Sequence, residues 1–293
     1  MSQIIFKEVK KKLGDFELNI PHLEIMEGYI TGFVGENGAG KTTTMKLILD
    51  MLIPDSGTIE IDGKSVQENS AEIKKEIGYV GDPTGFPEET QLKNIKRMYA
   101  PFYENWDDKL FEKYVKRFGL KMDLKYKDLS TGQKKQFALV MALAHKPRLI
   151  LLDEPTSGLD PVVRQDMLDV LMEHMQDEKV SVFYSTHITS DLERAGDYLV
   201  YIKQGKIIFN KPLDEVLENY CLVRGAKELF TKEIKKELLG IRTSKFGVEA
   251  LVESRELAEE LFGKEVVMGR PNIEDIMVFL SNKGGESHDS TNY

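Results

Sequence analysis

The chain is 293 residues long, 41% apolar and 30% charged, with a formal net charge of −9. Such a composition supports a full hydrophobic core with room for one large domain plus a smaller one, and it excludes the uniformly basic surface of a general nucleic-acid binder. No run approaches the ~20 consecutive apolar residues of a membrane helix, Lys7, Lys10, Lys11 and Lys12 leave no apolar signal region, and the single cysteine, Cys221, rules out an internal disulfide framework and suits a reducing cytosol.

In chain order, short strands are predicted over residues 4–9, 16–20 and 23–25, then an apolar strand over 30–34. That strand leads into Gly35-Glu36-Asn37-Gly38-Ala39-Gly40-Lys41-Thr42-Thr43, which fits the G-x-x-x-x-G-K-[ST] pattern, and a helical pattern with Met45, Leu47, Ile48 and Met51 leaves it. Strand, glycine-rich loop and helix in this order hold nucleotide phosphates. The glycines let the backbone wrap closely, so that successive N–H groups and the helix N-terminus point at the β- and γ-phosphates. Lys41 adds a point charge there, and the Thr42 hydroxyl is a ligand for Mg²⁺. ATP or a close relative is the expected ligand.

Residues 54–57 read as a turn, 57–61 as a strand and 77–80 as another. From about 88 to 145 the apolar residues recur at helical spacing (Ile95, Met98, Tyr99, Phe102; Phe111, Tyr114, Val115, Phe118), which implies a helical insert in an α/β scaffold. Strands return over 149–152, 180–184 and 198–202 with helices between them. This alternation predicts a mostly parallel sheet covered by helices, with ligands at the carboxyl ends of its strands. Residues 221–282 are expected to form a separate small α/β unit, with helices over 228–239 and 254–262, strands over 246–252 and 266–268, and a helix start at 271–275. A polar, disordered tail is expected over 283–293.

Further motifs accompany the phosphate loop. Leu149-Ile150-Leu151-Leu152-Asp153-Glu154 is an apolar strand ending in two acids; Asp153 suits the Mg²⁺ shell and Glu154 suits polarising a water in line with the γ-phosphate. Leu129-Ser130-Thr131-Gly132-Gln133 opens an amphipathic helix, with Ser130 and Gln133 spaced as a capping box. A helix N-terminus bearing small hydroxyl residues is also a receptor for a γ-phosphate. Ser157-Gly158-Leu159-Asp160-Pro161 follows the acidic strand, and Ser185-Thr186-His187 ends the next one, where an imidazole reaches toward the γ-phosphate.

Together these segments resemble the nucleotide-binding subunit of the ABC transporter family: Walker A (GENGAGKTT), signature (LSTGQ), Walker B (LILLDE), D-loop (SGLD) and H-loop (STH) all occur. The resemblance covers residues 1–220 and implies an α/β fold: a P-loop NTPase core with a mostly parallel sheet, N-terminal antiparallel strands and a helical insert, followed by the small C-terminal unit. It implies a head-to-tail dimer enclosing two ATPs, each between the Walker motifs of one subunit and the signature of the other. Ser130, Thr131, Gly132 and Gln133 then act in trans, Glu154 is the general base, His187 contacts the γ-phosphate, and Asp160 reports closure across the interface. Three departures stand out. Thr131 replaces the first glycine of the signature pair. The adenine-stacking aromatic aligns with Leu13, or by a shift with Phe16. The Q-loop glutamine is replaced by Asp82, which is still able to touch the Mg²⁺ shell.

As a single-domain chain it resembles family members that pair with separate membrane permease subunits in bacterial exporters, at the cytoplasmic face of the membrane. Phe102-Tyr103-Glu104-Asn105-Trp106-Asp107 resembles the antibiotic- and peptide-export subgroup. The helical insert and residues 81–89 then form the groove for a permease helix, with Phe86, Tyr99, Phe102, Tyr103 and Trp106 as anchors. The implied partners are a second nucleotide-binding subunit, identical or paralogous, and transmembrane subunits, with no nucleic acid. Two alternatives from other classes are a soluble ATPase that clamps nucleic acid or ribosomes, and an ATP-dependent regulatory sensor. The acidic net charge and single cassette weigh against the first, and the presence of both Glu154 and His187 against the second.

Overall fold

Alternating apolar residues bury one face of a hairpin, β1 (Ser2–Leu13) and β2 (Phe16–Met26), through Ile4, Phe6, Leu18, Ile20, Leu23 and Ile25. β2 is one strand where two were expected, with Pro21 inside it. Pro21 lies opposite Glu8, between the pairs Lys7↔His22 and Val9↔Ile20, at a position the ladder skips, so its missing N–H is not needed. Glu8 itself has φ 52 and bulges the strand, which moves the buried phase from Phe6 to Val9.

The computed structural model describes residues 1–81, 85–177, 180–245 and 247–281, in two units, 1–210 and 211–293. In the first, β3 (Ile30–Val34), buried throughout, feeds the loop before α1 (Lys41–Ile48). β4 (Ser56–Ile61) and β5 (Lys64–Ser65) extend the antiparallel side. Gly57 of β4 faces the β1 bulge, where a Cβ would stand 2.2 Å from the Glu8 carbonyl oxygen. α2 (Ser70–Lys75) precedes β6 (Ile77–Val80). The insert then runs through α3 (Leu92–Tyr99), α4 (Asp108–Arg117) and α5 (Thr131–Leu143), joined by turns, as the helical spacing predicts. β7 (Leu149–Asp153), α6 (Pro161–Asp177), β8 (Ser181–Thr186), α7 (Thr189–Ala195), β9 (Tyr198–Lys203) and β10 (Lys206–Pro212) complete the sheet.

The ten strands lie in the order β5-β4-β1-β2-β10-β9-β3-β8-β7-β6. β9, β3, β8, β7 and β6 are mutually parallel, and β2, β1, β4 and β5 pair antiparallel. β3, β7 and β8 run side by side in one direction, so the segments after residues 34, 153 and 186 emerge at the same edge. This α/β architecture is the expected one, with β5 and β10 added; β10 was hidden because none of its residues is fully buried.

The second unit begins with α8 (Leu213–Asn219) and a sheet of β11 (Cys221–Gly225), β12 (Gly240–Ser244), β13 (Gly247–Val252) and, after α9 (Arg255–Phe262), β14 (Val267–Gly269), in the order β12-β13-β11-β14. α10 (Ile273–Ser281) follows. The division falls between residues 210 and 211, where 220/221 was expected. The helix expected over 228–239 is replaced by two 3₁₀ turns, Lys227–Leu229 and Ile234–Lys236. Phe230, Ile234 and Leu238 imitate a helical repeat. The chain instead folds back to bury Phe230 against Phe262, ring centroids 5.0 Å apart, so tertiary burial overrides the local pattern. Cys221 is buried in this core. The tail expected over 283–293 lies outside the described residues.

Candidate functional site

Between β3 and α1 the backbone turns through conformations that glycine permits: φ is 81° at Gly38 and 114° at Gly40. Gly35 is needed for a different reason, since a Cβ there would stand 2.4 Å from the Ile202 carbonyl oxygen of β9. The loop is pinned by Ala39 N donating to Glu36 O (3.1 Å) and Gly205 N donating to Ala39 O (2.9 Å). Asn37, Gly38 and Thr42 are exposed and Thr43 half-buried, while Ala39 packs inward. Lys41 is 6% exposed, and its Nζ donates to Gly35 O (2.7 Å) and Glu36 O (3.2 Å), so the ammonium lies across the inside of the loop. Burial pushes its pKa down, opposed by the charges of Glu154 and Asp153. Phe16 abuts the loop, its ring edge 3.0 Å from where a Gly40 Cβ would stand, whereas Leu13 is 41% exposed at the end of β1.

β7 delivers two acids to the same edge. Asp153 is buried, and its Oδ1 has no hydrogen-bond partner among the described residues. Glu154 follows with φ 52, a conformation rarely adopted by a residue with a side chain, held by its N–H donating to Ser185 O (2.9 Å) on β8. Its Oε1 lies 3.9 Å from Lys41 Nζ, and its Oε2 lies 2.7 Å from Nδ1 of His187, just beyond β8. A carboxylate that only accepts would take a hydrogen bond from the Nδ1 tautomer of the imidazole at this contact. Lys41, Asp153, Glu154 and His187 therefore converge from the carboxyl ends of three adjacent parallel strands.

The segment 129–133 builds a helix start. Ser130 Oγ accepts from Gln133 N (3.2 Å) and Gln133 Oε1 accepts from Ser130 N (3.0 Å), closing the expected capping box on α5. Thr131 is exposed and Gly132 half-buried. Asp160 Oδ1 accepts from Val162 N and Val163 N, both at 3.1 Å, capping α6. Among the described residues, no hydrogen bond or ion pair joins Ser130, Thr131, Gly132, Gln133 or Asp160 to the cluster around Lys41. Asp82 lies outside the described residues.

A family model described as ABC transporter matches residues 18–157. ABC transporter ATP-binding protein YtrB of Bacillus subtilis (strain 168) is 33% identical over 213 residues, 73% of this chain and 73% of that one. This chain belongs to the ABC transporter ATP-binding family. Bacitracin transport ATP-binding protein BcrA of Bacillus licheniformis is 32% identical over 220 residues, 74% of this chain and 72% of that protein. Among solved structures, the ATP-binding subunit of an ABC transporter superposes with a TM-score of 0.66 at 24% identity, covering 73% of this chain and 92% of its own, which supports the fold. A dimeric ATP-binding cassette in a post-hydrolysis state bound to ADP and Pi gives 0.64 at 24% identity, with 72% and 98% covered. The chain is thus an ABC-type ATPase, the ATP-binding subunit of a transporter.

Two features of this ABC ATPase escaped the sequence reading. Lys135 on α5 is 3% exposed, and its Nζ donates to the carbonyl oxygens of Glu154 (2.9 Å) and Ser157 (2.8 Å). In the sequence this lysine reads as solvated; in the helix it is buried together with the eight residues from Gln136 to Leu143 that follow it. Nearby, Asp191 of α7 is 1% exposed and accepts from Thr156 Oγ1 (2.6 Å), Tyr184 Oη (2.9 Å) and Arg164 Nε. Burial and the Asp191 charge push the Tyr184 hydroxyl well up, so it stays a donor. No motif announces this network, because its members come from β8, α6, α7 and the loop after Glu154.

Proposed function

We propose that this subunit hydrolyses ATP to power export through separate membrane subunits. The observation that carries this reading is the convergence of Lys41, Glu154 and His187 beside an exposed phosphate loop. Glu154 takes the proton of the attacking water as the water oxygen bonds to the γ-phosphorus and the bond to the ADP oxygen breaks. Lys41 exchanges its two carbonyl partners for phosphate oxygens, and His187 Nε2 meets the γ-phosphate. Leu13 or Phe16 supports the adenine; the packing of Phe16 against the loop favours Phe16. The unpartnered Oδ1 of Asp153 and the exposed hydroxyl of Thr42 fit Mg²⁺, with Asp82 as a further ligand; when bound, the ion neutralises the phosphate oxygens.

Two copies, or one copy and a paralogue, close on ATP with Ser130, Thr131, Gly132 and Gln133 of each facing the other's nucleotide, and Asp160 senses that closure. Loss of the γ-phosphate opens them, and the cycle drives the permease. The permease docks in a groove of about 250 Å³ lined by Tyr79, Phe86, Tyr99, Tyr103, Met141 and His145. Among the described residues no helix is long and apolar enough to cross a membrane, so attachment at the cytoplasmic face runs through that partner. The bacitracin-transport name of one relative agrees with the export subgroup. The C-terminal unit stabilises or regulates the dimer.

Purification from detergent-solubilised membranes tests the assignment: a multi-helix membrane protein should accompany the chain at stoichiometry. Ribosomal or DNA-repair partners alone would overturn it. Glu154→Gln should bind ATP as tightly as the parent and turn it over at least ~100-fold more slowly, as loss of a general base predicts. Undiminished turnover would remove Glu154 from the chemistry.

A further inference from the structure

Asp191 is the third residue of α7, 1% exposed, with both carboxylate oxygens engaged. Oδ2 accepts from Thr156 Oγ1 (2.6 Å) and from Tyr184 Oη (2.9 Å), and Oδ1 accepts from Arg164 Nε. Arg164 extends the cluster by donating from Nη2 to Ser190 Oγ. Thr156 and Tyr184 are also 1% exposed, so the carboxylate and both hydroxyls lie inside the unit. A buried ion pair adds little net stability over apolar side chains of the same volume. What sets this one apart is where its donors come from.

Thr156 and Arg164 stand at the two ends of one loop. Residues 157–160 lie between them, with φ 73 at Gly158, Leu159 N donating to Thr156 O (3.2 Å) and Arg164 N donating to Asp160 O (3.0 Å). One carboxylate thus closes the base of the loop that carries Asp160. Tyr184 of β8 and Asp191 itself stand at the ends of a second segment, 184–191, which carries His187. The bond from Tyr184 Oη closes that segment on the same carboxylate. Thr156 also follows Glu154 by two residues, and Glu154 Oε2 lies 2.7 Å from His187 Nδ1. Energetic coupling is carried by contiguous packed and hydrogen-bonded groups, and the path from the Asp160 loop to the His187 segment is a single side chain long.

We propose that Asp191 is a positioning residue that locks the loop bearing Asp160 to the segment bearing His187, so that contact of a second subunit with Asp160 sets the place of His187 and Glu154 for hydrolysis. Asp191 touches none of the reacting atoms and acts through those residues. The inference rests on the roles proposed above for Asp160, Glu154 and His187.

The test is a mutant cycle in the full chain with its natural partners. Removing Asp191 outright would strand Arg164, so single donors are removed instead. Thr156→Val and Tyr184→Phe each delete one hydroxyl with little change of shape and leave the carboxylate its other two donors. Each should lower kcat by roughly 3- to 30-fold while the dissociation constant of a fluorescent ATP analogue stays within about two-fold. Thr156→Ser keeps the donor and should recover at least about half of the parent kcat. In an Asp160→Ala background, Thr156→Val should slow turnover by less than about two-fold, because the contact it relays is already gone. A folded Thr156→Val or Tyr184→Phe protein with the parent kcat overturns the proposal. So does a loss of kcat matched by an equal loss of ATP affinity and not recovered by serine, which would make the cluster a packing feature. The same fold-loss from Thr156→Val in both backgrounds overturns it too. Undiminished turnover of Asp160→Ala alone marks failure of the underlying reading of Asp160 and takes the proposal with it; failure of the link alone is told apart because Asp160→Ala then slows turnover and Thr156→Val does not.

Discussion

Gly132 separates what the fold needs from what the chemistry needs. It lies in the first turn of α5, its φ is not in the left-handed region, and an added Cβ would meet Val163 at 3.4 Å, Leu159 at 3.7 Å and the Ser130 hydroxyl at 3.9 Å, ordinary contacts. Gly35 differs: there a methyl group would collide with the backbone of β9 at 2.4 Å. Glycine inside a helix costs about 0.5–1 kcal/mol relative to alanine, so Gly132→Ala should raise the stability of the chain by up to that amount. If α5 presents its first turn to a neighbouring subunit's nucleotide, the same substitution should lower turnover at least several-fold, because a methyl group would stand where close approach is required. Thermal melting and steady-state ATPase on one variant read both effects. Higher Tm with full activity would mean that no nucleotide comes near Gly132.

At the scale of elements, α5 joins the site to the groove. Its start carries the capping box and Lys135, and beyond its end His145 is buried with Nε2 3.1 Å from Ile77 O and Nδ1 3.3 Å from Met141 O, its ring stacked on Tyr103 at 4.0 Å. Burial pushes its pKa below the ordinary value, and the two carbonyls offset this only in part. As pH falls through the ordinary histidine range near ~6.5, the unfolded chain therefore takes up a proton that the folded chain refuses, and stability is lost on the acid side. The parent Tm should fall more steeply below that pH than the Tm of His145→Gln, which does not titrate; parallel curves would show that His145 has no part in the acid slope. Elements with one strong local cue were legible in the sequence: β3, α1, β7, α9 and the helical insert all lie within a few residues of their predicted positions. Those set by distant partners were not. β2 reads as two strands until Pro21 is seen opposite a bulge, and 228–239 reads as a helix until Phe230 is placed on Phe262. In the site, Lys41, Asp153, Glu154 and His187 were named from motif order alone, whereas Lys135 and Asp191 matter through contacts between elements that no spacing encodes.

Each of the two units has an apolar cluster of its own among the described residues. The first is a continuous apolar cluster running from Ile4 of β1 through Met45 of α1 to Leu151, Phe183 and Ile202 of the parallel strands. The second is built from Val223, Val248, Ala250, Val252, Ala258, Phe230 and Phe262, with Leu222, Leu251, Ile276 and Phe279 also buried in the same unit. A core shared by a four-stranded sheet and its own helices is what a unit needs to fold alone, although at about 70 residues the fraction of surface it buries leaves little margin. A cut after Pro212 leaves β10 whole. Residues 213–281 should then give a dispersed NMR spectrum and a cooperative melt, and residues 1–212 should still bind an ATP analogue, because every residue proposed to touch nucleotide lies before the cut. Full-length chain should show two calorimetric transitions, one matching the fragment. A single transition together with an unfolded 213–281 fragment would mean that the smaller core depends on the larger one, and that the two units cannot be treated as separate folding domains.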